Sequence, residues 1–158
     1  MNYEELLTLE KSSQSEFSPC IISNDEKIAR VIFSPKHYSD GEVVALAFQQ
    51  IFSPDGMSVL RLNYFFENSL IETIKLLQKD DENQYTGYVS ASVSDIRNVI
   101  LNGFRVFYIL DTAREDRVGH ADIFSIRLPV EMGLSKKILN KYIRHRIAEA
   151  FNELTLVE

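Results

Sequence analysis

The sequence is short of nearly every pattern that announces a chemistry. Of its 158 residues only Cys20 is a cysteine, so no internal disulfide can form and a thiolate metal site has no second thiol. Apolar runs such as Val106 to Leu110 fall far below the ~20 residues that a membrane-crossing helix needs. Nothing near Met1 resembles a basic, apolar, small-residue secretion signal, so a cytoplasmic location is expected. Also missing are a G-x-G-x-x-G turn, a Walker lysine loop, a G-x-S-x-G elbow and a cysteine-protease context, which disfavours common nucleotide-binding and acyl-transfer folds. Positive charge is scarce too. Seventeen Lys and Arg against 23 Asp and Glu give a net charge of -6, which argues against general attraction to nucleic acid.

What is present is an ordinary globular composition, 45% hydrophobic and 25% charged, at a length that suits one domain. A chain of this size buries roughly 70% of the surface it exposes when unfolded, so it needs neither metal nor cofactor to hold a core. No repeat, low-complexity region or linker divides residues 1–158, which read as one domain with 1–27 as its N-terminal helix and loop.

Along the chain, Asn2 to Lys11 can form a short helix with Leu6, Leu7 and Leu9 inward. Strand character follows at Ile28 to Phe33, Met57 to Phe66, Tyr85 to Val93, Arg105 to Leu110 and His120 to Leu128, where β-branched and aromatic residues alternate with polar ones. Val43 to Phe48 is ambiguous between strand and helix. Ser69 and Glu72 stand at capping-box spacing before the stripe Leu70, Ile71, Ile74, Leu77, which predicts a packing helix to about Lys79. Lys79 to Gln84 reads as a solvated acidic loop, and Ser94 to Leu101 as a short helix closed by Asn102-Gly103. After Pro129 and Gly133, Leu139, Ile143, Ile147, Phe151 and Leu154 predict a long helix from Lys136 to Leu154. The expected fold is α+β: one mainly antiparallel sheet with two to three packing helices, the long C-terminal one covering a face.

Candidate chemistry centres on His120 and Asp122. On a strand, residues two apart share a face, so the carboxylate can orient the imidazole and raise its pKa toward neutrality for acid-base work. The same pair also fits a plain polar patch on the sheet. Arg30 and Arg61 sit in apolar strand sequence, where an unpaired guanidinium costs several kcal/mol, so each needs an acidic partner, an anionic ligand or solvent. Convergence of Arg30, Arg61 and His37 on His120 would make a phosphate or carboxylate site. No structural zinc set exists among His37, His120, His145 and Cys20. Lys136, Lys137, Lys141, Arg144 and Arg146 on the last helix could meet a phosphate backbone or an acidic partner, or could simply be solvated.

The run S-P-K-H-Y, then V-A-L-A-F, M-S-V-L-R-L and G-H-A-D-I, between Arg30 and Ile123, resembles a pattern in small, uncharacterised bacterial proteins associated with multi-gene accessory or defence loci. That resemblance implies a bacterial cytoplasmic protein and no specific activity. The order of an early-strand arginine, a polar strand residue and a later acidic position also resembles ADP-ribosyl-transferring folds, in which arginine or histidine holds the dinucleotide. No catalytic glutamate motif follows here, so the likeness is one of spacing. The leading expectation, given how few catalytic signatures the sequence holds, is a protein-binding component using a sheet edge or the basic helix; the alternatives are a nucleotide- or phosphate-directed enzyme using His120, Asp122, Arg30, Arg61 and His37, and a nucleic-acid accessory using the last helix.

Overall fold

Six of the strands build one wholly antiparallel sheet, in the order β10-β5-β1-β4-β9-β8. They are β1 (Lys27–Ser34), β4 (Met57–Arg61), β5 (Gln84–Ser92), β8 (Phe107–Asp111), β9 (His120–Ser125) and β10 (Glu153–Leu156). Two small ladders lie outside it, β2 (Tyr38–Ser39) with β3 (Glu42–Val43) and β6 (Ile100–Leu101) with β7 (Phe104–Arg105). The helices are α1 (Tyr3–Ser12), α2 (Glu67–Leu77), α3 (Val93–Arg97) and α4 (Lys136–Ala150), with 3₁₀ segments η1 (Ala45–Phe52) and η2 (Leu62–Tyr64). This computed structural model describes residues 3–65, 67–77, 82–126 and 135–156. The α+β class and the antiparallel sheet are as expected from the sequence.

Alternation along the strands gives the sheet two apolar faces, and both are covered. On one face Ile28, Ile32, Met57, Val59, Ile109 and Ile123 meet η1, α3 and the α4 stripe of Ile143, Ile147 and Phe151. On the other, Val31 and Leu60 pack on Leu70 and Ile74 of α2, while Tyr108 meets Leu6 of α1. Each fully buried Ile or Leu stabilises the fold by roughly 1.5–3 kcal/mol, so these stripes, and not helix propensity, fix the layers.

Several boundaries differ from the sequence reading, each for a local reason. The C-terminal helix stops at Ala150, and Leu154 belongs to β10, where it is 42% exposed instead of extending the buried stripe. Asn102 and Gly103 both have positive φ, 52° and 78°. They form the tight turn of the β6–β7 hairpin and do not close a helix, because α3 already ends at Arg97. That helix starts earlier than expected, with the Ser92 hydroxyl accepting from the Asp95 N–H. The apolar run at 105–110 is split at Val106, whose N–H donates to the carbonyl of Val99, just before the small hairpin. Arg61 is the last residue of β4, since η2 follows at once. Of the remaining expectations, residues 79–81 of the acidic loop, Leu128, Pro129 and Gly133 lie outside the described residues.

β10 lies very close to β5. A Cβ on Gly87 would stand 2.1 Å from the Thr155 carbonyl oxygen, a backbone atom that cannot swing aside. Gly87→Ala should therefore displace β10 and cost about 1–3 kcal/mol, the usual range for overpacking. Hydrogen exchange is the check: amides of 153–156 should lose protection while those of β4 and β9 keep theirs, and unchanged protection in 153–156 would show that β10 does not rest on this glycine.

Candidate functional site

His120 and Asp122 lie side by side on β9, as two-residue spacing requires, yet they do not bond directly. Their closest approach is 3.9 Å, and the Thr112 hydroxyl stands between them. It donates to Asp122 Oδ2 at 2.7 Å and lies 2.8 Å from His120 Nδ1. A hydroxyl that gives its proton to a carboxylate accepts from its other neighbour, so Nδ1 carries the imidazole proton and Nε2 is bare. Across β4, the Ser58 hydroxyl donates to Asp122 Oδ1 at 3.1 Å. The expected upward shift of the histidine pKa is reversed. His120 is only 2% exposed, and burial pulls its pKa below the ordinary value, with Asp122 opposing and Arg114 adding to the fall.

The two strand arginines lie on the opposite face from His120, because Ile28 pairs with Arg61 and Leu60 pairs with His120. Arg61 is fully buried, and every N–H of its guanidinium is engaged. Nε and Nη2 bind the two Glu26 carboxylate oxygens at 2.7 and 2.9 Å, and Nη1 reaches the Cys20 carbonyl at 2.9 Å and Asp111 Oδ2 at 3.5 Å. Nη2 also approaches Cys20 Sγ and the Ile21 carbonyl, both at 3.5 Å. The plane of the group lies 4.7 Å from the centre of the Tyr64 ring. Burial disfavours its charge, but the Glu26 hydrogen bond and charge outweigh that and raise its pKa. No donor is left for an anionic ligand.

Arg30 is satisfied differently. The β1–β4 ladder pairs only Ile28 and Ala29, and beyond it the Arg30 side chain reaches across to β4 and η1. It donates to the Ser58 carbonyl and the Ala47 carbonyl, both at 3.1 Å, and to Gln50 Oε1 at 2.9 Å. Without a carboxylate at ion-pair distance among the described residues, burial lowers its pKa to about 10, and the charge of Asp122 opposes the shift. His37 is electrostatically coupled to Arg30 and not to His120. Burial first, then the charges of Arg30 and Lys36, bring its pKa down to about 4. Its Nδ1 accepts from the Phe33 N–H at 3.3 Å, so its proton, too, is placed, on Nε2.

Arg30, His37, Arg61 and His120 thus belong to three polar centres, of which only Arg30 and Asp122 communicate, through Ser58. Among the described residues no group of three His, Cys, Asp or Glu is placed to hold a metal ion. Sequence reasoning missed Glu26, Thr112 and Ser58. Glu26 and Ser58 look like ordinary loop and strand residues, and the only available signal was that Arg61 required an acidic partner. Thr112, Ala113 and Gly119 belong to the link between β8 and β9, whose charged sequence T-A-R-E-D-R-V-G reads as a solvated hairpin loop, yet Ala113 and Gly119 are buried. The exposed positions of that loop are its tip, at 114–116, and Val118.

On α4, Lys136, Lys137 and Lys141 are exposed and have no ion-pair partner among the described residues. Arg144 donates to Gln49 Oε1 at 2.6 Å, and Arg146 lies 3.7 Å from Glu149.

The two edges of the sheet contrast sharply. The β8 edge is closed by side chains from the N-terminal segment: Ile109 N–H donates to Glu10 Oε2 at 3.2 Å, Asp111 N–H donates to Ser13 Oγ at 3.3 Å, and Ser15 Oγ donates to the Ala113 carbonyl at 2.6 Å. Glu10 is itself held by Arg97 at 2.6 Å and by Arg105. At the other edge β10 pairs with β5 alone, all four of its residues are exposed, and among the described residues no side chain bonds to its backbone. Leu154 and Leu156 there are 42% and 46% exposed. No helix is long and apolar enough to cross a membrane among the described residues. Comparison with protein-family models, with curated proteins and with solved structures found no match to this chain.

Proposed function

We propose that this chain is a protein-binding component, and that a partner docks by adding an extended segment to the outer edge of β10. The observation that carries this reading is the unequal treatment of the two edges. Open strand edges are a template for pairing with another chain, and folds close those they do not use. Here Glu10, Ser13 and Ser15 close one edge, while among the described residues no side chain bonds to the backbone of the other, which carries two exposed leucines. The setting proposed is the bacterial cytoplasm, within a multi-gene assembly of the accessory or defence kind that the S-P-K-H-Y to G-H-A-D-I pattern resembles.

A phosphate-directed activity at His120 has less support, because Arg61 has no donor to offer and lies on the other face of the sheet. Nucleic-acid binding by α4 would rest on Lys136, Lys137 and Lys141 alone. The test is photo-crosslinking in the native cell, with a photoreactive residue placed at 154, at 156 or at 141. Protein adducts are expected at 154 and 156. Adducts at 141 with none at the edge would move docking to the helix and end this reading, as would the absence of adducts at all three.

A further inference from the structure

We infer that residues 3–18 form a detachable strap over the β8 edge, and that its release bares a second docking edge, for an extended segment carrying a carboxylate. This goes beyond the reading of β10 and does not depend on it.

The strap is attached in a way that favours detachment. Every bond it makes to β8 and the loop that follows comes from one of its side chains: Glu10 to the Ile109 N–H, Ser13 to the Asp111 N–H, Ser15 to the Ala113 carbonyl and Ser18 to the Asp111 carboxylate. Among the described residues its backbone nowhere pairs with β8. On an antiparallel strand the N–H and C=O of one residue point to the same side. The carbonyls of Ile109 and Asp111 therefore face the strap too, and among the described residues no strap group donates to them. An added strand would engage both groups of each residue, so it would satisfy the edge more fully than the cover does.

The apolar contact is separable as well. Leu6 packs with Tyr108 and Ile126 in a small cluster apart from the main core, so α1 can leave without opening the interior. The closed state also carries a defect. Tyr108 is fully buried, and its hydroxyl makes no hydrogen bond among the described residues. A buried hydroxyl left unpaired opposes closure. Tyr3 and Leu6 of α1 lie against Tyr108, so lifting α1 brings water to that hydroxyl.

One carboxylate holds against this. Glu10 binds Arg97 at 2.6 Å and also binds Arg105, and among the described residues neither arginine has another carboxylate. Both keep anchors of their own when Glu10 leaves. Arg97 donates to Asn24 Oδ1 at 2.7 Å and to the Ile22 carbonyl at 3.2 Å, and Arg105 donates to the Phe107 carbonyl at 3.0 Å. Two guanidinium groups and the Ile109 N–H thus stay in place as a carboxylate cradle on the edge itself. An incoming strand with a carboxylate there replaces Glu10, whereas a neutral strand leaves two cations unpaired.

Hydrogen exchange on the full chain in low urea reads the strap. The Ile109 and Asp111 amides should exchange through a local opening whose rate hardly changes with urea, ahead of the β4 amides. Glu10→Gln keeps the shape and removes the charge, and should speed that exchange at least about tenfold. Tyr108→Phe removes the unpaired hydroxyl and should slow it. Exchange of 109 and 111 only together with β4 at every urea concentration, or faster exchange in Tyr108→Phe, would overturn the strap. The docking chemistry is read by fluorescence anisotropy with a labelled peptide of alternating valine and threonine bearing one central glutamate. It should bind Glu10→Gln at least about tenfold more tightly than Tyr108→Phe, and more tightly than its glutamine twin does. Equal binding to the two variants would place the peptide at β10 and overturn the acidic edge. Equal binding of the two peptides, or none by either, would overturn it too.

Discussion

Arg61→Ala should lower the unfolding free energy by about 3–5 kcal/mol, the range for removing one member of a buried charge cluster. The cost does not lie chiefly in the lost attraction. Glu26 and Asp111 are 5% and 6% exposed, and without the guanidinium both would be buried carboxylates facing only backbone and hydroxyl donors. Glu26 would keep the Ser23 N–H, and Asp111 would keep the Ala113 N–H and the Ser18 hydroxyl. These do not balance two desolvated negative charges. The same reasoning predicts partial rescue: Arg61→Met combined with Glu26→Gln and Asp111→Asn removes all three charges, keeps the acceptors used by Ser23 and Ala113, and should recover most of the loss. Urea unfolding of the single and triple variants measures both effects. A loss below about 1 kcal/mol for Arg61→Ala would mean that the cluster contributes no more than a surface ion pair does.

The second large effect is acid destabilisation through the two buried histidines. His37 has a folded pKa lowered to about 4 from 6.5, so between those values the unfolded chain binds a proton that the folded chain refuses. Stability therefore falls as the pH drops through that window and is fully present above it. At about 1.4 kcal/mol per unit, the loss at pH 4 is on the order of 2–3 kcal/mol from His37. His120 acts in the same direction below pH 6.5, because burial and the charges of Arg114 and Arg117 outweigh the pull of Asp122. The structural event differs at the two sites. Protonating His37 Nδ1 removes the acceptor for the Phe33 N–H, whereas a proton on His120 goes to the bare Nε2 and leaves the Thr112 bridge intact. Unfolding free energies at pH 7.5, 6, 5 and 4 should fall steadily, and more shallowly in His37→Asn, which keeps an acceptor and does not titrate. Parallel pH profiles for the two proteins would remove His37 from the account.

The sheet was legible because five of its six strands are runs in which β-branched and aromatic residues either alternate or cluster, and only Val43 to Phe48, most of it in η1, competes for that signal. β10 was hidden. Leu154 falls three residues after Phe151, so it continues the helical stripe of Ile143 and Ile147, and no glycine or proline marks the break. Asn102-Gly103 misleads for a related reason: it reads as a helix end, but positive φ serves a hairpin turn equally, and only the pairing of Ile100 with Arg105 distinguishes them. The needs of the arginines were readable, but not how they are met. A guanidinium in a strand demands partners, and Arg61 found carboxylates while Arg30 took two backbone carbonyls and an amide. Which partner answers depends on where loops return in space, and local spacing carries no information about that. The His120–Asp122 pair was visible, but the hydroxyl between them comes from Thr112, eight residues before the histidine and across the hairpin.

Glu10 and the strand edge it closes are separated by 99 residues of chain. At the ~5–20 residues per second of protein synthesis, the α1 segment waits roughly 5–20 s for β8 to exist. Throughout that interval Leu6 has no Tyr108 to cover it, and β8, once made, is a bare edge until α1 returns. The closing of this edge therefore waits on β8, and is carried out by a segment synthesised 99 residues before it.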